Sequence, residues 1–301
     1  MLYLLLFAHF LSSFFAAYLA ISSSYSCRAA TYGKTLVFVS ESSIINGKKK
    51  KETEDMTDTK IQEKLKPGLK LADFQKDGDI YLALNPDYVS GDNAKYMTMY
   101  NRLARWYDFG EKWMGPLLHG KAIDKLRKDQ MAEIEWKDHL SVLYVSIGTG
   151  HDLRYIPENI DLKSLDFFGA DISIGMLKKC QKSCAKRTNL KLFHACAEDL
   201  PFADNSFDIV YHIGGINFFS DKAKAMQEML RVAKPGTKIM ISDETADYVD
   251  QQYKKNHLSK DYFKDATVDL GEIEAAIPAG VKEKELKLLW DGKFYVLTFR
   301  K

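Results

Sequence analysis

The chain has 301 residues, of which 46% are hydrophobic, so it is long enough for one large domain with a substantial core and extensions. Its 43 lysines and arginines nearly balance its 41 aspartates and glutamates, which argues against nucleic acid as an obligatory partner. The four cysteines form no paired framework, so we expect a reducing compartment, the cytoplasm, and no metal site.

Residues 1–55 are predicted to lie apart from the folded domains. Residues 2–21 form an apolar run that could just span a bilayer as a helix, but no basic residues precede it as in a secretory signal. Three interpretations stay open: a membrane anchor, a targeting signal, or a dispensable extension. Lysines 48–51 and the acidic residues after them predict a disordered linker. Membrane association is therefore expected only through residues 2–21.

Residues 56–135 are predicted to form a helical region that precedes the main domain and acts as its lid. Met99 and Leu103 belong to one run of apolar residues at three- and four-residue spacing, and Ile123 and Leu126 belong to a second. Such spacing predicts two amphipathic helices. The aromatic residues of the first helix are expected either in the core or over a ligand.

Residues 136–301 are predicted to form a doubly wound α/β domain, because apolar β-prone runs alternate with helical segments. The predicted strands are 141–147, 165–170, 190–195, 207–213 and 237–242, and the helices are 151–157, 173–187 and 220–233, the last with Ser220 as N-cap. An Asp-Gly pair at 291–292 separates two further alternating runs and predicts a hairpin. We therefore expect seven strands, mostly parallel, with an antiparallel C-terminal hairpin strand.

The first predicted strand of this domain runs into a glycine turn. Gly148 and Gly150 lack a Cβ, so the backbone there can pass close to a ligand. Asp171 ends the second strand 21 residues after Gly150, and one carboxylate can accept both hydroxyl donors of a ribose. A glycine turn followed by such a carboxylate predicts a nucleoside-binding site.

Ordered motifs extend this pattern over residues 100–301. They are Tyr107-Asp108, 142–150, 169–173 with Met176-Leu177, 197–208 and 228–236, and the most specific is Leu-Pro-Phe-x-Asp-x-Ser-Phe-Asp at 200–208. In this order the chain resembles class I S-adenosylmethionine-dependent methyltransferases of the small-molecule type, similar to the ubiquinone/menaquinone C-methyltransferases. The resemblance implies S-adenosylmethionine as cofactor.

The resemblance also implies contacts between the cofactor and particular residues of this chain. These are Ser146, Gly148 and Gly150 at the methionine moiety, Asp171 at the ribose, Ile172, Cys196 and Ala197 at the adenine, His212 and Gly214 at the pocket floor, and Tyr107 from the lid. The chain departs from the family pattern at Tyr144, where an acid is usual, at Ser146, Ile147 and Thr237, which replace small residues, and at Cys196, which replaces an aspartate.

We therefore expect methyl transfer to a small hydrophobic or aromatic acceptor, such as a quinone. A proton acceptor is needed only if the methyl acceptor is protonated, and the candidate catalytic residues are His212, Asp243 and Tyr107. The substituted glycine turn leaves open a second interpretation, a methyltransferase-like protein that binds without transferring. A nicotinamide oxidoreductase is disfavoured by the terminal hairpin and by the segment at 200–208.

Overall fold

One mixed β-sheet organises the computed structural model, which describes residues 58–109, 121–184, 187–255, 260–264 and 266–301. Its strands are β1 (Lys76–Asp77), β2 (Ile80–Leu82), β3 (Ser141–Val145), β4 (Asp166–Asp171), β5 (Lys191–His194), β6 (Ile209–Ile213), β7 (Lys238–Glu244), β8 (Lys282–Leu289) and β9 (Phe294–Arg300). They lie in the order β1-β2-β5-β4-β3-β6-β7-β9-β8. The direction of strand addition reverses between β3 and β6, and in such sheets ligands bind at this point, outside the carboxyl ends of the strands.

Seven α-helices accompany the sheet in the described part of the chain, besides a helical segment at residues 58–63. They are α1 (Gly91–Phe109), α2 (Lys121–Ala132), α3 (Ile174–Cys184), α4 (Lys222–Val232), α5 (Ala246–Gln252), α6 (Lys260–Phe263) and α7 (Leu270–Ala275). Among the residues described, no helix is both long and apolar enough to cross a bilayer. The apolar run 2–21 lies outside those residues.

The five central strands are parallel, and each overlaps a predicted one. β3 and β6 are buried along their whole length, which explains why both are continuous apolar runs rather than alternating ones. β9 pairs antiparallel with β7 on one side and β8 on the other, as the Asp-Gly turn predicted. The mostly parallel doubly wound α/β class is therefore confirmed.

Three local predictions were wrong. The sheet has two more strands than expected, because β2 pairs in parallel with the edge of β5 and β1 pairs with β2. The segment predicted as an α-helix at 151–157 is a 3-10 helix, His151–Tyr155. The N-cap of α4 is Asp221, whose side chain accepts from the Lys224 N–H, while the Ser220 hydroxyl accepts from the Asn93 N–H of the lid.

The motif at 200–208 has a structural role in the core. The rings of Phe202 and Phe207 lie edge-to-face with Phe168 of β4, at centroid distances of 5.7 and 5.3 Å. Arg231 on α4 donates to the carbonyls of Phe202 and Leu200 at 2.7 and 3.2 Å. These contacts fasten the loop after β5 to α4 and so fix the position of the loop beside the sheet edge.

Helix α1, in the region predicted to be a lid, packs against the start of α3 and against aromatic residues after β6 and in α6. Asn101 accepts hydrogen bonds from the Ser173 hydroxyl at 2.8 Å and from the Gly175 N–H at 3.0 Å, at the start of α3. Tyr96 on α1 packs against Phe218 and Phe263 at centroid distances of 4.8 and 5.5 Å. The lid therefore closes one side of a cavity at the sheet edge.

Candidate active site

The cavity beneath α1 is about 1210 Å³ when measured to its open mouth. Small-molecule sites are concave and combine apolar walls with a few polar groups, and the residues around this cavity are of both kinds. Residues after β3, β4, β5, β6 and β7 line it together with residues of the lid. Of the predicted contact residues, Ser146, Gly148, Asp171, Ile172, Cys196, Ala197 and Gly214 lie in its wall.

The two glycines of the turn after β3 have different structural roles. Gly148 has a φ of +56° and no atom within 4 Å of where a Cβ would lie, so its bare backbone faces the cavity. Gly150 has a φ of +70°, and a Cβ there would lie 2.7 Å from both Cys180 Sγ and Cys184 Sγ. Gly150 does not line the cavity. Its lack of a side chain instead lets the turn pack closely on α3. The two cysteines face the core, as predicted.

Substituting these glycines is expected to separate stability from ligand binding. Gly150→Ala should destabilise the fold by about 1–3 kcal/mol, because overpacking adds to the left-handed backbone strain. Gly236→Ala is the control for backbone strain alone, since Gly236 has a φ of +84° and open space around it. Gly148→Ala should resemble Gly236→Ala in thermal melts yet weaken cofactor binding. Equal melting temperatures for the Gly150 and Gly236 variants would contradict this assignment.

Asp171 anchors the turn as well as facing the cavity. Its Oδ2 accepts from the Gly148 N–H and its Oδ1 from the Ser173 N–H, both at 2.8 Å. Burial raises the pKa of Asp171 to about 6, and the two backbone donors oppose that shift. The carboxylate is thus placed where a diol could donate to its remaining lone pairs.

The raised pKa of Asp171 predicts a pH dependence. Between pH 4 and 6 the Asp171 carboxyl is protonated to a greater extent in the folded chain than in the unfolded chain. The contribution of Asp171 to stability is therefore largest below pH 4 and is lost as the pH rises through about 6. Affinity for a ribose-containing ligand should change in the opposite direction and improve from pH 5 to 7, because hydroxyl donors favour the carboxylate. Titrations with S-adenosylhomocysteine at each pH test this. Asp171→Asn should flatten the profile, and an unchanged profile in that variant would assign the titration to another group.

The wall after β5 contains a buried polar cluster. The Cys196 thiol donates to Glu198 Oε2 at 2.6 Å, and Asn93 Nδ2 on α1 donates to Glu198 Oε1 at 2.9 Å. Burial and the neighbouring Glu198 raise the pKa of the Cys196 thiol, so it remains protonated. Sequence reasoning missed Glu198 and Asn93. Glu198 lay in a recognised motif, but nothing in the sequence singled out Asn93.

A second buried cluster lies where β3 enters the turn. Tyr144 replaces the acid usual in the resembling family, and its hydroxyl donates to Asp152 Oδ2 at 2.8 Å. Arg127 on α2 pairs with the other Asp152 oxygen at 3.1 Å. All three residues line the cavity. Asp152 therefore supplies a carboxylate beside Tyr144, the position where the resembling family has an acid.

The cavity wall also contains several aromatic residues together with Glu244, which lies at the end of β7. The Tyr253 hydroxyl donates to Glu244 Oε1 at 2.8 Å. Burial, with Glu244 nearby, raises the pKa values of Tyr253 and Tyr100, so both phenols remain neutral. Phe218 and Phe294 complete this wall.

The structure does not place the predicted catalytic residues His212 and Asp243 in the cavity wall. His212 is fully buried: Nδ1 lies 3.1 Å from the Val145 carbonyl and Nε2 accepts from the Ile216 N–H at 3.0 Å. Both ring nitrogens are therefore engaged, and burial lowers the pKa of His212 to about 4. His212 was predicted to be a base or a cofactor contact. In the structure its side chain instead holds the loop after β6.

Asp243 has the same kind of structural role as His212. It is fully buried, and its carboxylate accepts from the backbone N–H groups of Gly215, Asn217 and Glu244 at 3.0, 2.9 and 2.9 Å. Glu244, the next residue, faces the cavity instead. The side chain of the third catalytic candidate, Tyr107, lies outside the part of the structure that is described.

The segment that builds this site matches a known family. Residues 143–241, from β3 to β7, match a family model described as a methyltransferase domain. Over these residues the chain is similar to the class I S-adenosylmethionine-dependent methyltransferases that its motifs resemble. The cofactor of this class is S-adenosylmethionine, and the open Gly148 backbone and the buried Asp171 carboxylate fit its nucleoside.

Individual relatives carry names from quinone biosynthesis. The chain is 31% identical to a ubiquinone/menaquinone biosynthesis C-methyltransferase of Geotalea daltonii over 49% of this chain and 62% of the relative. It is 38% identical to a demethylmenaquinone methyltransferase of Shouchella clausii over 38% of this chain and 49% of the relative. The chain thus spans about half to three fifths of the relatives it matches. A crystal structure of a Thermotoga maritima S-adenosylmethionine-dependent methyltransferase matches 67% of this chain at 20% identity, with a TM-score of 0.49.

Proposed function

We propose that this methyltransferase domain transfers a methyl group to a small aromatic acceptor with an acidic hydroxyl, such as a quinol. The observation that carries the proposal is one cavity whose wall contains Asp171, Glu244 and several aromatic side chains. The names of the relatives support a quinone-related acceptor.

The residues of the chain have distinct tasks in this reaction. When bound, S-adenosylmethionine supplies a methyl group made electrophilic by a sulfonium, so alignment with the acceptor provides most of the catalysis. Asp171 and the turn at Gly148 hold the nucleoside. Tyr100 and Phe218 offer flat apolar surfaces for an aromatic ring. Glu244 accepts the proton of the acceptor hydroxyl, which makes the acceptor electron-rich.

A titration followed by a transfer assay tests the proposal. Calorimetry of the full chain with S-adenosylmethionine and S-adenosylhomocysteine, with NAD as the control, is expected to show micromolar binding of the two sulfur ligands alone. Transfer of labelled methyl to a short-chain demethylmenaquinone in its reduced form should follow. Binding of the donor with no transfer to any phenolic acceptor would favour the second candidate, a binding protein, which the substitutions at Ser146 and Ile147 of the turn motivate.

A further inference from the structure

Two thiols of helix α3 lie side by side beneath the glycine turn after β3. Cys180 and Cys184 are 0% and 3% exposed, and both are free thiols. A Cβ on Gly150 would lie 2.7 Å from each sulfur, so the two sulfurs are no more than twice that distance apart. The Cys180 thiol donates a hydrogen bond to the Cys184 sulfur. The two sulfur atoms are therefore direct neighbours.

The Cys184 thiol has the surroundings of a reactive cysteine. The hydrogen bond from Cys180 lowers the pKa of Cys184 to about 7, although burial opposes the shift. The nearby cations of Arg187 and Arg154 lower the same pKa further. A substantial fraction of Cys184 is therefore thiolate, the nucleophilic form, at neutral pH. Cys196 differs, because burial raises the pKa of its thiol.

Cys184 lies at a helix end that local opening can expose. It is the last residue of α3, and both Ser183 before it and Arg187 after it are exposed. Its carbonyl accepts from the N–H groups of Arg187 and Thr188 at 2.8 and 3.3 Å. Helix ends open more readily than helix interiors. Opening of this last turn brings the thiolate to solvent while the sheet stays folded.

The last turn of α3 is joined to the glycine turn in the cavity wall. The Ser183 hydroxyl donates to the Thr149 carbonyl at 2.9 Å, and the Cys184 sulfur lies 3.8 Å from the Gly150 carbonyl oxygen. Thr149 and its neighbour Gly148 both line the cavity. A displacement of the end of α3 is therefore passed on to the cavity wall.

A disulfide between these two positions does not fit a regular α-helix. Side chains four residues apart have Cβ atoms about 5–6 Å apart, whereas a disulfide requires about 3.5–4.5 Å. The last turn of α3 must therefore contract by about 1–2 Å when the bond forms. Because Gly150 packs on both sulfurs with no room for a methyl group, the glycine turn has to move with them.

We propose that Cys180 and Cys184 form a redox-sensitive pair, in which hydrogen peroxide produces a disulfide that displaces the turn at Gly148 and weakens cofactor binding. The Cys184 thiolate attacks the peroxide, an S–O bond forms as the O–O bond breaks, and the hydroxide that leaves takes up the proton that Cys184 had released. The Cys180 thiol then attacks the Cys184 sulfur, an S–S bond forms as the S–O bond breaks, and hydroxide leaves with the Cys180 proton as water. Two thiols are thus oxidised to one disulfide, and one peroxide is reduced to two waters.

Treatment of the unaltered full chain with limited hydrogen peroxide tests this. Peptide mass mapping after alkylation under denaturing conditions should show a disulfide between Cys180 and Cys184, with Cys196 alkylated as a free thiol. The Kd of S-adenosylhomocysteine should rise about tenfold or more, the scale of one lost hydrogen bond to a charged group. Dithiothreitol should restore the original Kd, which a merely damaged chain would not do.

Two single variants and a control separate the pair from other effects of the oxidant. Cys180→Ser and Cys184→Ser each remove one sulfur, and neither residue is among the described residues that line the cavity. In both variants peroxide should leave the Kd unchanged. Cys27→Ser keeps the pair and is the matched control, which should form the same disulfide and lose affinity as the unaltered chain does. Amide hydrogen exchange at residues 146–150 should increase on oxidation wherever the pair is intact.

Each outcome decides the proposal. An unaltered chain that keeps both thiols after peroxide treatment would overturn it, as would a disulfide that involves another cysteine, and neither result needs a variant to fold. A disulfide between Cys180 and Cys184 with unchanged Kd and unchanged hydrogen exchange at residues 146–150 would overturn the link to the turn. If S-adenosylhomocysteine does not bind the unaltered chain, the proposed function fails, and the hydrogen exchange still decides this inference.

Discussion

Glu244→Gln is expected to lower kcat by about 10²- to 10⁴-fold, the usual contribution of a positioned proton acceptor. Glutamine has the same shape and can still accept from the Tyr253 hydroxyl, which lies 2.8 Å from Glu244 Oε1. The fold and the affinity for S-adenosylhomocysteine should therefore be retained. Initial rates with a reduced demethylmenaquinone, measured beside calorimetric Kd values, provide the test.

Two further results separate a catalytic role of Glu244 from a structural one. The melting temperature of Glu244→Gln should equal that of the unaltered chain, whereas a structural role of Glu244 would lower it. Asp250→Asn is the matched control: Asp250 lies on α5 just after β7, its side chain is 57% exposed, and it pairs with Lys254 at 2.8 Å. A kcat for Glu244→Gln equal to that of the control would remove Glu244 from the mechanism.

Asp171→Ala is expected to weaken cofactor binding by about 1–3 kcal/mol, or about 5- to 150-fold in Kd. The carboxylate of Asp171 faces the cavity, and it also accepts hydrogen bonds from the Gly148 N–H and the Ser173 N–H, both at 2.8 Å. Alanine removes the acceptor of the ribose hydroxyls and also leaves the turn unsupported. Titration with S-adenosylhomocysteine measures the loss.

Asp161→Ala is the control for this substitution. Asp161 accepts from the backbone N–H two residues later, that of Lys163, at 3.0 Å, as Asp171 does from Ser173, but it is exposed and outside the cavity. Its removal should leave the Kd unchanged. If Asp171→Ala also bound with unchanged affinity, the nucleoside would have to lie elsewhere than at the end of β4.

The features that local chain geometry controls could be predicted. A strand that runs into Gly148 and a carboxylate at the end of the next strand are properties of short segments, so the sequence predicted the turn and the place of Asp171 in it. The hairpin after β8 was predictable for the same reason, since Asp291 and Gly292 supply the positive φ angles of the turn.

The sequence could not predict which residue at the carboxyl end of β7 faces the cavity. Successive side chains of a strand point to opposite faces, so of Asp243 and Glu244 only one can line the cavity, and the sequence placed both at the same edge. Asp243 instead accepts from the loop after β6. His212, at the end of its own strand, is held between Val145 and Ile216 by contacts that no local pattern indicates.

By itself, the sequence determined the alternation of strands and helices, the glycine turn, the carboxylate after β4 and the resemblance to methyltransferases. Only the tertiary structure decided which residues pack and hydrogen-bond around Tyr144 and Cys196, two positions where the chain departs from the family pattern. Asn93 reaches Glu198 from 105 positions earlier in the chain, and Arg127 on α2 reaches Asp152 beside Tyr144. The physical reason is that a turn is built by neighbouring residues, whereas a buried carboxylate takes its partners from whichever elements pack beside it.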